Sequence, residues 1–80
     1  MKPQNAAVLD LLREQGKDGV TPALALTEVG TMRLAARIAE LRAAGFVITT
    51  YDHRTPTGKH VARYVLRHGE PVQLTLEVAS

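Results

Sequence analysis

Cysteine is absent from this 80-residue chain. That excludes both a disulfide framework and a thiolate metal site, and it is compatible with a reducing compartment. No apolar run is long enough to span a bilayer, and the start MKPQNAAVLD lacks the basic-then-apolar order of a signal peptide. A cytoplasmic protein without a membrane partner is therefore expected. Serine occurs once, as Ser80, and the six glycines stand singly, which leaves no phosphate-cradling glycine loop. The three histidines, His53, His60 and His68, lack the close pairing of a zinc site, and the carboxylates are scattered. These absences argue against an enzyme and against any metal or other cofactor.

Charge is present, but unevenly. Up to Gly30, the bases Lys2, Arg13 and Lys17 are outnumbered by Asp10, Glu14, Asp18 and Glu28. From Thr31 to His68, seven bases (Arg33, Arg37, Arg42, Arg54, Lys59, Arg63, Arg67) face only Glu40 and Asp52, and the remaining residues add Glu70 and Glu77. A formal net charge of +2 thus conceals a basic central block. Such a block suits phosphate-backbone binding, and it equally serves solubility.

Eighty residues hold one small core. Pro3 fits the first turn of a helix that carries Val8, Leu9 and Leu12 on one side and closes at Gly16. After a short loop, KDGV, Thr21 is an N-cap and Pro22 a first helical residue, so a second helix is expected from Pro22 to about Val29. Gly30 and Thr31 supply a turn and a new N-cap for a third helix, Met32 to Ala44, stopped by Gly45. FVITTY then reads as a strand, DHRTPTGK as a loop, and HVARYVL as a strand with Ala62, Tyr64 and Leu66 alternating against Val61, Arg63 and Val65. The fold class expected is α+β: a helix-turn-helix unit followed at once by a basic hairpin, the order of a winged helix-turn-helix domain.

VTPALALTEVGTMRLAARIAELRAAGFVITT, followed by GKHVARYVL, resembles the small winged helix-turn-helix domains carried by many bacteriophages and prophages. The likeness runs from about Ala7 to Leu66 and rests chiefly on RLAARIAELR and ARYVL. It implies DNA binding, usually in regulation or recombination control.

On a helical wheel Leu34, Ile38 and Leu41 define the packed face of the third helix, while Thr31, Met32, Arg33, Ala36 and Glu40 lie on or near the opposite one, with Arg37 at its border. In a helix-turn-helix protein the start of the recognition helix meets base edges, which makes Arg33 the candidate for guanine O6 and N7. Thr31 with the helix N-terminus would instead hold a phosphate. Arg37 serves either DNA or an ion pair with Glu40 or Glu28. Ala36 permits close approach to a groove and is also an ordinary helix former. Met32 is a surface contact or a core edge. In the wing, His53, Arg54, Thr57 and Lys59 are the candidate DNA contacts beside Thr55 and Gly58, and Pro56 stiffens the loop. Tyr64 reads as a core residue with its hydroxyl at the rim.

Beyond the winged domain at residues 1–68, a tail at 69–80 alternates Val72, Leu74, Leu76 and Val78 with Gln73, Thr75 and Glu77, the pattern of a half-buried strand. It pairs either within its own sheet or, through residues 71–79, with a second subunit to form a homodimer. The function expected is sequence-specific binding of double-stranded DNA, as a phage-type transcriptional regulator, with an excisionase-like architectural role as an alternative. The rival from another class is an interaction module whose arginines meet an acidic host or phage protein.

Overall fold

The computed structural model describes residues 1–67, and of His53 the backbone alone. The C-terminal strand expected at 69–80 and its dimer contact lie outside the described residues.

Helix α1 spans Pro3–Gln15, with proline at its first position and Gly16 as its cap. Gly16 adopts a positive φ of 53° and donates its N–H to the Leu12 carbonyl, which ends the helix where expected. A single 3-10 turn, Gly16–Asp18, follows. Helix α2 covers Pro22–Glu28, and Thr21 caps it by accepting the Leu24 N–H at 3.3 Å.

Helix α3 runs Leu34–Ala43, two residues later at its start than the expected Met32. The cause is Thr31. Its hydroxyl accepts the Arg33 N–H at 3.2 Å, two residues on, and its side chain is buried. That local bond holds Thr31 to Arg33 in a turn, so Arg33 becomes the N-cap in place of Thr31.

Strands β1 (Ile48–Arg54) and β2 (His60–Leu66) form an antiparallel hairpin, in register from Ile48 opposite Leu66 to Arg54 opposite His60. The expected loop 52–59 is shorter than read, because Asp52 to Arg54 continue β1. At the tip Thr55 donates its N–H to the Lys59 carbonyl at 2.8 Å, and Gly58 donates to Thr55 at 2.9 Å.

Val20, read from sequence as part of a loop, forms an isolated bridge to Tyr64. The two exchange both backbone bonds, at 2.8 and 2.9 Å, and Val20 is fully buried. Gly19 makes that approach possible. Its φ is +75°, and a Cβ there would stand 2.7 Å from Arg63 Cγ and 2.9 Å from the Tyr64 carbonyl oxygen.

One core joins these elements. Val8 and Leu12 from α1, Leu34, Ile38 and Leu41 from α3, and Phe46, Ile48 and Tyr64 from the hairpin are all buried in it. Ala62 and Leu66 pack against it from the same face of β2 as Tyr64, as the alternation predicts. Leu11 is buried as well, so the packed face of α1 is broader than Val8, Leu9 and Leu12 alone.

Candidate nucleic-acid interface

The turn between α2 and α3 presents Met32 and Arg33 to solvent, Met32 with 86% of its surface exposed. Arg33 caps α3 through its backbone, and its guanidinium has no hydrogen bond or ion pair among the described residues. Thr31, next to them in sequence, is withdrawn into the core and shapes the turn. Along α3, Ala36 is half-buried while Ala35, Ala39 and Ala43 are exposed. The exposed stripe is therefore almost wholly alanine, and Ala35 and Ala39 belong to it although sequence reasoning centred it on Ala36. The spacing from Leu34, Ile38 and Leu41 places Ala39 and Ala43 on the opposite side, but it does not single out Ala35, and Ala36, equally far from the core on the wheel, is half-buried by the fold.

Of the two roles open to Arg37, the ion pair with Glu40 is formed, with Nη2 at 2.7 Å from Oε1. Arg37 also donates to Gln4 Oε1 at 3.4 Å, and its side chain is only 16% exposed. Lys2 Nζ approaches the other oxygen of Glu40 at 2.7 Å. The Lys2 hydrogen bond is the largest effect holding the Glu40 carboxyl below its ordinary pKa of 4.5; burial opposes it, and the positive charges of Arg37 and Lys2 and a hydrogen bond with Asn5 each add a smaller lowering effect. This cluster ties the start of α1 to the middle of α3, and Arg37 takes part in it.

Arg42 went unnoticed in the sequence except as a positive charge. From the last turn of α3 it donates Nη2 and Nε to the Ile48 carbonyl, at 2.6 and 3.2 Å, and Nη2 also to Thr50 Oγ1 at 2.8 Å. It fixes the root of the wing to the helix. A basic residue in a last helical turn, six residues before the start of β1, is the only signal for this.

At the wing tip Arg54 and Lys59 are exposed, and neither side chain has a partner among the described residues. Thr57 shares a 3.0 Å hydroxyl contact with Thr55, which stiffens the tip. Lower on the same face, Asp52 Oδ2 and His60 Nδ1 lie 2.5 Å apart. The side chain of His53 lies outside the described residues. On the other face the Arg63 guanidinium sits 5.8 Å from the Tyr51 ring centroid, and Arg67 donates to the Tyr51 hydroxyl at 3.4 Å.

On α3 and the wing, Arg33 at the start of α3 and Arg54 with Lys59 at the wing tip are thus cations without a partner among the described residues, and Arg42 holds together the elements that carry them. The shallow groove elsewhere, between α1 and α2, is lined by Ala7, Asp10, Leu11, Glu14, Glu28 and Val29. Its acidic side chains would repel a phosphate backbone. Among the described residues no group of three or more His, Cys, Asp or Glu could hold a metal ion, and no helix is long and apolar enough to cross a membrane.

In comparison with known families, a model described as a winged helix-turn-helix domain matches residues 3–69. Comparison with curated proteins and with solved structures gives no match.

Proposed function

Because this chain belongs to the winged helix-turn-helix domain family, we propose that it binds double-stranded DNA through the start of α3 and the wing tip. One observation carries this reading: of the three arginines at Arg33, Arg37 and Arg42, two are committed to contacts within the fold, and Arg33 alone is free at the position where a recognition helix meets bases. Arg33 contacts a guanine edge, Met32 and Ala36 lie against the groove, and Ala35 and Ala39 bring the helix close to thymine methyl groups. Arg54 and Lys59, with Thr57 between them, hold phosphates or enter a narrow minor groove.

The biological role we infer is that of a phage-type transcriptional regulator in the cytoplasm, acting by occupying its site. One small domain makes few phosphate contacts, so a homodimer through residues 71–79 would read two half-sites and gain affinity. Tight tandem sites with strong bending would instead point to an excisionase-like role. The test is a fluorescence-anisotropy titration with duplex DNA at two salt concentrations, with an Arg33→Ala/Arg54→Ala variant alongside.

A second reading, a protein-interaction module, draws support from the same helix. Met32, Ala35, Ala39 and Ala43 form an exposed surface with no hydrogen-bonding side chain, which suits an apolar partner as well as a groove. Affinity that is insensitive to salt and to loss of Arg33 would favour it.

A further inference from the structure

Among the described residues, the β1 edge of the wing has the longer run of backbone that is both unpaired and accessible. Arg67 donates its N–H to the Val47 carbonyl, and Thr55 to the Lys59 carbonyl, each at 2.8 Å. Bonded and non-bonded pairs alternate along an antiparallel ladder, so with this register the even-numbered residues of both strands turn their N–H and C=O groups outward. Two separate contacts agree with that phase. On β2, Tyr64 spends both outward groups on Val20. On β1, the outward carbonyl of Ile48 is taken by Arg42. Beyond Ile48 the outward groups of Thr50, Asp52 and Arg54 have no hydrogen-bond partner among the described residues, and all three residues are exposed.

We propose that this edge of β1, Thr50 to Arg54, receives residues 72–78 of a second copy of this chain as an added strand. The inference rests on the dimer reading given above and supplies it with a receiving surface; it shares Arg54 with the DNA reading, but through the backbone of that residue. Strand addition satisfies a row of edge donors and acceptors while pockets or neighbours for alternate side chains set the register. The segment VQLTLEV has the required period of two. Its apolar row would lie on the side of β1 that carries Val47 and Tyr51, both exposed at 39% and 40%. Its acidic residues, Glu70 before the segment and Glu77 within it, complement a wing that carries Arg54, Arg63 and Arg67.

The choice of a second copy over the same chain follows from where β2 ends. Near Arg67 the β2 edge is filled by Val20 at Tyr64, and the β1 edge is filled by Arg42 at Ile48. These two positions, at the root of the sheet next to Arg67, are the ones a tail returning directly on its own sheet would meet first. A tail from another molecule can approach the open stretch from the wing tip.

Sedimentation equilibrium of the full chain at micromolar concentration tests this with two variants. Asp52→Pro removes an outward N–H and no backbone bond between β1 and β2, and Asp52→Ala alongside it accounts for the lost side-chain contact with His60. Leu74→Lys/Leu76→Lys alters the tail and leaves the wing untouched. The wild type is expected to be a dimer, and Asp52→Pro and the tail variant each to weaken dimerisation at least tenfold with an unchanged far-UV circular dichroism spectrum. A monomeric wild type, or a dimer unaffected by the tail variant, overturns the proposal even if Asp52→Pro fails to fold. Duplex titration of the same samples keeps the readings apart: a monomer that binds DNA in a salt-dependent way sinks the strand addition alone, and a dimer that binds none sinks the DNA reading alone.

Discussion

The guanidinium of Arg42 reaches from the last turn of α3 to the carbonyl of Ile48, 2.6 Å away, and thereby sets where the wing leaves the helix. Hydrogen bonds to a charged donor contribute about 1.5 to 3 kcal/mol when sheltered, and this one is partly exposed. Arg42→Ala should therefore lower stability by about 1 to 2 kcal/mol in urea denaturation followed by circular dichroism. Lysine cannot reproduce the forked contact to Ile48 and Thr50, so Arg42→Lys should recover only part of the loss.

Gly19 and Gly58 offer a paired test of the Val20 bridge. Both have positive φ, but a Cβ at Gly58 meets nothing within 4 Å, whereas at Gly19 it would collide with Arg63, Tyr64 and Val65. Gly58→Ala should cost about 1 kcal/mol, from backbone conformation alone. Gly19→Ala should cost roughly 2 to 3 kcal/mol, because the loop must also move off β2. Equal losses in thermal denaturation would contradict the close approach.

Arg33 and Arg37 are one helical turn apart and should separate cleanly. Arg33→Ala is expected to leave stability within about 0.5 kcal/mol of wild type and to weaken specific DNA binding by about 1 to 3 kcal/mol. Arg37→Ala should lower the denaturation midpoint, since it leaves Glu40 with Lys2 alone, and should leave discrimination between bases unchanged. Denaturation and duplex titration of the two variants side by side check both halves.

Acid should loosen the contact between α1 and α3. The Glu40 carboxyl lies below its ordinary 4.5 in the folded chain, so around that value the unfolded state binds more protons than the folded one. The stability this confers is complete above the ordinary value and is lost as pH falls through the folded-state pKa. Glu40→Gln should accordingly show a shallower loss of stability than the wild type when acidified below 4.5, measured by urea midpoints across the pH range.

Much of this architecture was legible because local chemistry and burial agree. Pro3 and Gly16 mark both ends of α1, Thr21 with Pro22 marks the start of α2, and the spacing of Leu34, Ile38 and Leu41 marks the buried side of α3. What escaped depends on contacts between distant residues. Thr31 has the composition of an N-cap, yet burial and its bond to Arg33 turn it into a turn residue. Nothing local distinguishes Val20 from a loop residue, since its bridge requires Tyr64, far along the chain. In the candidate site, the basic character of α3 was evident, but which arginines are free was not. Arg37 and Arg42 are occupied by Glu40 and Ile48 through tertiary placement, and only the folded chain leaves Arg33 exposed.

The most direct test of DNA binding is the anisotropy titration of the full chain with duplex DNA over a range of salt, wild type against Arg33→Ala/Arg54→Ala. Each phosphate contact contributes close to one unit to the slope of log affinity against log salt. A steep slope for the wild type is expected, with a variant that binds more weakly and whose slope is shallower by about one, as Arg54 would account for. Absence of wild-type binding at low salt, or a variant indistinguishable from it, would contradict the assignment of α3 and the wing to DNA.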